Sequence, residues 1–401
     1  MDRRSLRLAV ASATLGVTAL AVLLAPPTTE ATAAAPSGAI EGALGFNVFV
    51  RDLVQLDSGE IEGPLAVGGP VRWFGDFPVA SVTPGEFIAP GDSVPSALVA
   101  GQGLVFPPSN RGELTVAVPS GGHPAPPPPG YAKVGRPSAV SVYSAGEQTR
   151  IVPHGQGAGY PAVVTVGAGQ SAESIGRATG IDFATVFAHL QSASHDMAEC
   201  QNTVRLTDLT GKPLPARIPP GTLAVVDLSR GANVLNISAP NLGALSTVIF
   251  SGPPSASATL LVNVDVPVGQ DQFTWAVPRF LGASVAEAPY LLWNFPGSAA
   301  VVLNGAGTLP GTVLGPHTEL GIFGGGTVIG QVVAGELAVG PGGDSPDGNL
   351  VRHAVNAVPL DCADPTPTEP GPSATPSASP SPAPTATGSP SASPYGRPPR
   401  P

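Results

Sequence analysis

The chain has 401 residues, of which 42% are hydrophobic and only 11% are charged, and it contains 51 glycines and 49 prolines. This composition excludes a helical bundle and predicts a mostly β chain with many turns, whose solubility depends on uncharged polar groups. The formal net charge is −10, with only 18 lysines and arginines. Because no basic cluster lies beyond the N-terminal leader, we expect no nucleic-acid partner.

Residues 1–33 have the pattern of a signal peptide. A basic stretch at 1–7 precedes an apolar run at 8–25, and small residues follow at 31–33. This arrangement predicts export, a secreted or cell-wall-associated protein, and no membrane contact once the signal is removed. The length of the apolar run leaves an uncleaved N-terminal anchor open as the alternative.

Short apolar runs alternate with glycine-bearing corners between residues 293 and 339. The runs are 300–303, 312–314, 320–323 and 327–334. They are too short for amphipathic helices and are rich in β-branched residues, while the glycines between them allow tight corners. The pattern predicts a parallel β-helix, also called a β-solenoid.

An imperfect repeat near the N-terminus supports the same fold. A pattern similar to that of residues 63–69 recurs at 97–106. Leu98 corresponds to Leu65 and Phe106 corresponds to Trp73, both at the same spacing in the sequence. We expect the two copies to form neighbouring turns of the solenoid.

One helix interrupts the strand pattern at about residues 181–200. Its apolar positions at helical spacing are Phe183, Val186, Phe187, Leu190 and Met197. Asp182 is a suitable N-cap, and the apolar stripe predicts a helix packed on the solenoid, where it covers apolar surface.

Strand alternation returns in the segment 260–268. It places Val262, Val264 and Val266 on a buried face and Asn263 and Asp265 on the opposite face. We expect the face that carries Asn263 and Asp265 to be wet.

Several motifs resemble one protein family. They are LGFNVFV at 44–50, EGPLAVGG at 62–69, GYAKVG at 130–135, LLWNFP at 291–296, GTVLGP at 311–316 and GQVVAGEL at 330–337. Together they resemble the choice-of-anchor A domain of secreted bacterial surface proteins. The resemblance implies a β-helical, adhesive or matrix module displayed at the cell surface, without an established catalytic activity. The motif around Gly315 departs from the family at His317, whose role stays open.

Three segments make up the predicted organisation. A signal peptide at 1–33 precedes a choice-of-anchor A-like β-solenoid domain at 38–362, and a Pro/Ser/Thr/Ala-rich tail follows at 363–401. The tail has no apolar residues to bury, so we expect it to be disordered. No sorting motif is recognisable in it, which leaves the means of anchoring open.

The two cysteines of the chain are Cys200 and Cys362. In an exported chain they predict one disulfide that ties the end of the domain to the helix, and it would stabilise the fold by about 4 kcal/mol if unstrained. Two buried thiols, or pairing between molecules, are the alternatives.

No metal or cofactor is predicted. His195 and Glu199 stand one helical turn apart, but they lack a third ligand nearby in the sequence. The segment 342–348 has oxygen ligands suited to calcium, yet it occurs once and lacks the tandem repeat of calcium-binding β-rolls.

The sequence also predicts no enzyme. Asp76, Asp92, Asp227 and Asp265 are scattered along the chain, and neither a GxSxG motif nor a phosphate-binding loop is present. A carbohydrate-active β-helix enzyme, either a polysaccharide lyase or a hydrolase, stays open because a solenoid brings distant residues together.

Two aromatic groups are candidate surface contacts. They consist of Trp73, Phe74 and Phe77, and of Trp293 and Phe295. Such rings could bind a sugar or a protein, and the alternative is that they fill the core.

The predicted function is non-catalytic display or adhesion, in which a solenoid face binds a cell-wall or extracellular glycan or a protein surface. A purely structural wall or matrix component is the remaining alternative. Ice binding on a threonine ladder is not predicted, because Thr308, Thr312, Thr318 and Thr327 fall at irregular intervals.

Overall fold

The structure is a computed structural model that describes residues 40–118, 125–267, 269–297, 299–340, 349–359 and 362. The predicted signal peptide, the predicted tail and the calcium-like segment 342–348 lie outside these residues. Within them the chain is mostly β, as its composition predicts.

The described strands are β1 (Val48–Leu56), β2 (Gly59–Ile61), β3 (Leu65–Val67), β4 (Pro70–Trp73), β5 (Phe77–Val79), β6 (Ser96–Ala100), β7 (Gly103–Val105), β8 (Gly112–Val116), β9 (Tyr131–Val134), β10 (Val140–Ala145), β11 (Gln148–Pro153), β12 (Ala162–Val166), β13 (Thr222–Val226), β14 (Gly231–Ser238), β15 (Leu245–Phe250), β16 (Ala258–Asp265), β17 (Gln272–Ala276), β18 (Arg279–Leu281), β19 (Leu291–Asn294), β20 (Ala300–Asn304), β21 (Thr308–Pro310), β22 (Thr312–Phe323), β23 (Thr327–Ile329), β24 (Val332–Val339) and β25 (Asn349–Arg352). The helices are α1 (Ala172–Gly176), α2 (Phe183–Ala198) and α3 (Ala239–Gly243), and short 3-10 turns occupy Glu41–Ala43, Pro137–Ala139 and Ala288–Tyr290.

The largest sheet has 13 strands and two arms. One arm, here the helix-covered arm, runs β14-β16-β19-β22-β24-β1-β3-β6-β9, and the other, here the open arm, runs β17-β20-β22-β24-β1-β4-β7. The long strands β1, β22 and β24 belong to both arms. They change register where the arms meet, for example between Val50 and Leu53 of β1. All pairings in this sheet are parallel.

Two further sheets complete the fold. A nine-stranded sheet runs β10-β11-β12-β8-β5-β2-β25-β23-β21, and a three-stranded sheet runs β13-β15-β18. Only the pairs β10–β11 and β11–β12 in these sheets are antiparallel.

The strand order shows that two sets of turns meet in the middle of the large sheet. The first set begins with β1, and the second set, which follows α2 in the sequence, ends with β24 against β1. Asn47 forms two hydrogen bonds across this joint. Its backbone carbonyl accepts from the Val332 amide at 2.8 Å, and its side-chain amide donates to the Gly330 carbonyl at 2.8 Å. The Gln331 side chain donates to the Phe46 carbonyl at 2.8 Å. The joint therefore depends on buried side-chain amides that pair with backbone groups.

Aliphatic side chains stack in register inside the open arm. Five consecutive strands contribute Val301, Leu320, Leu337, Val54 and Val71, each at most 1% exposed. Full burial of a Val or Leu side chain stabilises a fold by about 1.5–3 kcal/mol, so columns of this kind dominate the stability.

The N-terminal repeat pairs as its sequence predicts. Leu65 of β3 stands in register with Leu98 of β6. The rings of Trp73 and Phe106 lie 5.0 Å apart in an edge-on contact. The two copies therefore lie on neighbouring strands, which confirms their pairing.

Helix α2 is slightly shorter than the predicted 181–200. The Asp182 side chain caps it by accepting from the Thr185 amide at 3.1 Å. Its apolar face packs on the helix-covered arm, where the Phe49 ring stacks at 5.2 Å on Phe183 and at 5.4 Å on Phe187. The five-residue helices α1 and α3 are not predicted from the sequence.

A row of asparagines in register holds the C-terminal half of α2. The side-chain amide of Asn263 donates to the Met197 carbonyl at 2.7 Å and to the Asn236 side chain at 2.9 Å. The Asn294 amide donates to the Ser194 carbonyl at 2.8 Å and to the Asn263 side chain at 2.9 Å. We call Asn236, Asn263 and Asn294 the asparagine ladder.

The prediction of a wet face is therefore wrong for Asn263, which is only 5% exposed because α2 covers it. Asp265, two residues further on, is exposed as predicted. Val262 and Val264 are buried, whereas Val266 is only half-buried. None of the described helices is long and apolar enough to cross a bilayer.

Candidate functional site

The two arms of the large sheet differ in what covers their outward side. On the helix-covered arm one outward row comprises Asn236, Asn263, Asn294, Leu314, Val333, Phe49, Ala66, Val99 and Lys133. All of these except Asn236 are at most 5% exposed. Apart from the end of the row at Asn236, which is exposed, this row offers no free surface to a partner.

The outward side of the open arm, here the open face, is accessible. Its middle row comprises Thr274, Val302, Gly321, Ala338, Gln55, Arg72 and Val105, and its end row comprises Ala276, Asn304, Phe323, Gly340, Asp57 and Phe74. Gly321 and Gly340 are buried, and the other residues of these rows are exposed or half-buried. Seven parallel strands thus present small, aliphatic and polar groups on one continuous surface.

A cleft of about 420 Å³ lies at the end row. Gln55, Asp57, Phe74, Phe323, Ala338, Val339 and Gly340 line it. Gly340 separates Phe323 from Asp57 and has a φ of +93°, and a Cβ there would lie 2.6 Å from the Ser58 amide nitrogen. Only glycine fits this position, and its missing side chain opens the space between the two rings.

Acidic groups mark the opposite end of the open face. Glu319 and Glu336 stand in register on β22 and β24. Partial burial raises the pKa of Glu336, and the negative charges of Glu319 and Asp52 raise it further. Arg51 opposes this effect and pairs with Asp52 at 2.8 Å.

His317 lies near this acidic end, at the boundary between the two arms. It is exposed, and its Nδ1 is 3.5 Å from the Gln191 side-chain nitrogen of α2. Partial burial lowers its pKa, and the positive charge of Arg51 lowers it further. The structure places His317 beside α2 and assigns it no catalytic partner among the described residues.

Four of the five aromatic candidates lie in the core. Trp73 is 0% exposed, Phe77 1%, Trp293 3% and Phe295 2%. Their rings fill the interior because they occupy inward positions of their strands, so they offer no surface to a partner. Phe74 is 40% exposed on the open face and is the one candidate that stays available.

The scattered aspartates do not come together. Asp92 is buried beside Lys133 and Arg177, the Asp76 carboxylate accepts from the Glu113 amide at 2.9 Å, and the Asp227 carboxylate accepts from the Ser251 hydroxyl at 2.6 Å. None of these contacts joins two aspartates. In the described part of the chain no group of three His, Cys, Asp or Glu side chains is arranged to hold a metal.

A second groove, of about 530 Å³, lies between the ends of β6 and β9 and the segment 176–183. Its charged groups are already engaged. Lys133 and Arg177 both pair with Asp92, and Asp182 caps α2. This groove is larger than the cleft on the open face, but it offers fewer unsatisfied groups to a ligand, so the open face is the better candidate site.

The residues that sequence reasoning missed are Asp57, Arg72 and Phe323. Arg72 and Phe323 lie on strands and Asp57 directly follows β1, and their alternation with buried neighbours is visible in the sequence. The sequence does not reveal that they share one face, because β1, far from β24 in the sequence, becomes its neighbour only at the joint.

The disulfide predicted between Cys200 and Cys362 is present, with the two Cα atoms 5.6 Å apart. It joins the residue that follows the last turn of α2 to the end of the domain.

No curated protein matches the chain. Comparison with protein families matches residues 39–344 to the family described as "Putative Ice-binding-like adhesive domain". The match supports the adhesive character that the choice-of-anchor A resemblance implies, but it does not confirm that family. Because the matched residues cover well over half of the sequence, the chain belongs to the ice-binding-like adhesive domain family.

Proposed function

We propose that this protein is a non-catalytic adhesion module that binds an external surface through the open face of a β-solenoid. One observation carries the proposal: seven parallel strands in register present an accessible outward surface, whereas the matching row of the other arm is buried under α2 and its neighbours. Membership of an adhesive domain family supports the same role.

The three sheets are the walls of the proposed solenoid. Support comes from the parallel pairing of most neighbouring strands and from aliphatic columns that stack in register between them. A rigid wall of this kind holds its contact groups in place before a partner arrives, which reduces the entropy lost on binding.

The proposed setting is extracellular or cell-wall associated. The signal-like residues 1–33 and the disulfide between Cys200 and Cys362 support export into an oxidising compartment. The proline-rich residues 363–401 would then separate the folded domain from the surface that carries it.

Ice, which the family description names, is not proposed as the ligand. The middle row of the open face holds a single threonine, Thr274, beside valines, alanine, glycine, glutamine and arginine. An enzyme is not proposed either. Asp76, Asp92 and Asp227 each engage another group, and the neighbouring pair Glu319 and Glu336 lies outside the cleft on the open face.

The proposal can be tested with the chain from which the signal-like segment 1–33 has been removed. We expect it to bind whole bacterial cells or a glycan array, and we expect Val302→Arg and Ala338→Arg to reduce that binding at least tenfold. Thr115→Arg, a half-buried outward position on the nine-stranded sheet, is the matched control and should bind like the unsubstituted protein.

Two outcomes would overturn the proposal. One is binding that survives both open-face substitutions, or no binding to any cell or glycan. The other is reproducible polysaccharide depolymerisation by the purified protein, which would make it an enzyme.

A further inference from the structure

The cleft on the open face has a chemical character that points to one class of ligand. Phe323, Gly340, Asp57 and Phe74 stand side by side at the ends of four consecutive strands. At a strand spacing of about 4.8 Å, the Cα atoms of the two phenylalanines are about 14 Å apart. The cleft of about 420 Å³ between them is within the range of small-ligand sites.

The polar groups of the cleft have no partner of their own. In the described part of the chain, no side-chain hydrogen bond or ion pair engages Asp57, Gln55 or Arg72. Gln55 lines the cleft, and Arg72 stands beside it in the middle row on the next strand. The site thus offers a carboxylate acceptor, a guanidinium donor and an amide that does both.

These groups discriminate between classes of ligand. An anion would be repelled by Asp57, and a cation would be repelled by Arg72, so neither charge is favoured over the cleft as a whole. A neutral polyhydroxyl compound suits it better, since each hydroxyl both donates and accepts and therefore satisfies both kinds of group. The two phenyl rings provide apolar walls for the C–H faces of a sugar ring.

We propose that this cleft is a binding subsite for one or two pyranose units of a neutral glycan. The inference rests on the proposed adhesive function, and it names the ligand class that the open face takes at this position. Phe74 and Phe323 would flank the sugar, Asp57 and Gln55 would accept from its hydroxyls, and Arg72 would donate to them.

The test applies the chain without segment 1–33 to an array of neutral, sialylated, sulfated and free-amine glycans, followed by calorimetry with the neutral oligosaccharide that binds best. Phe74→Ala and Phe323→Ala are each expected to weaken that binding at least tenfold, and Asp57→Asn about fivefold. Leu281→Ala, an exposed apolar residue of the three-stranded sheet, is the matched control and should leave it unchanged. Far-UV circular dichroism of each variant shows whether the fold is retained.

The outcomes separate this inference from the broader proposal. Preference for charged glycans, or neutral-glycan binding unaffected by Phe74→Ala and Asp57→Asn, would overturn the subsite. Adhesion to cells that Val302→Arg abolishes, with no glycan bound, would leave the adhesive function standing and refute the subsite alone. Adhesion that neither Val302→Arg nor Phe74→Ala affects would refute both.

Discussion

The asparagine ladder is expected to hold helix α2 on the sheet, and Asn263→Ala is the substitution that tests this. Asn263 is 5% exposed and takes part in three hydrogen bonds, to Met197, Asn236 and Asn294, at 2.7, 2.9 and 2.9 Å. Each neutral hydrogen bond contributes about 0.5–1.5 kcal/mol, so the loss of all three is expected to cost about 2–4 kcal/mol.

Hydrogen exchange followed by mass spectrometry measures the loss of local stability in helix α2 itself. If α2 opens locally, a cost of this size speeds amide exchange across residues 183–198 by about 30- to 1,000-fold. Asn304→Ala, which removes an exposed asparagine from the open face, is the control and should change the exchange of α2 little.

An unchanged stability of α2 would refute the role given to the asparagine ladder. If Asn263→Ala leaves both the exchange of α2 and the urea midpoint at the values of the Asn304→Ala control, the ladder does not hold the helix. The apolar contacts of Phe183 and Phe187 with Phe49 would then be sufficient to explain its position.

Three further substitutions test the fold and its electrostatics. Cys200→Ser opens a link across 162 residues and is expected to lower the free energy of unfolding by about 2–5 kcal/mol; equal urea midpoints would contradict this. Burial and Glu319 raise the pKa of Glu336, so its ionised form destabilises the fold above that raised pKa. Glu336→Gln should therefore raise the free energy of unfolding in urea at pH 7 by less than about 1 kcal/mol, and the gain should vanish below the ordinary pKa of 4.5, where the carboxyl is neutral in both states; a gain that grows on acidification would refute it. Lys133→Met leaves the buried Asp92 with Arg177 as its remaining basic partner and should lower the free energy of unfolding in urea by about 1.5–3 kcal/mol, and adding Asp92→Leu should recover part of this; an unchanged stability of Lys133→Met would refute the pairing.

Local patterns in the sequence are sufficient to predict the strands, the long helix α2 and the disulfide. Glycine corners and β-branched runs predict strands because they depend only on neighbouring residues, and the repeat correctly pairs Leu65 with Leu98. The predicted bounds of helix α2 lie close to the observed ones at both ends, because a cap at Asp182 and an apolar stripe coincide. Cys200 and Cys362 have a single possible intramolecular pairing.

The sequence-based predictions fail where segments that are far apart in the chain pack against each other. Alternation correctly separates Asn263 from its buried valine neighbours, but it cannot show that α2 covers the side on which Asn263 lies. Trp73 and Trp293 are candidates for the surface because they are large and aromatic, whereas their place in the strand alternation points inward. The joint between β24 and β1 has no local signal, since most of the domain separates its two strands in the sequence.

The position of α2 explains why the open arm is accessible while most of the matching row on the helix-covered arm is not. The outward residues Phe49, Ala66 and Val99 form an apolar row that would be costly to leave in water, and α2 and its neighbours remove it from solvent. The open face instead mixes small apolar groups with Gln55 and Arg72, and a surface of this kind is stable when exposed. The same strands that extend under α2 also carry the open face. Docking of the helix therefore fixes the geometry of the strands that carry the proposed binding face. If that proposal holds, any substitution that loosens α2 should weaken adhesion even though no residue of the open face has changed.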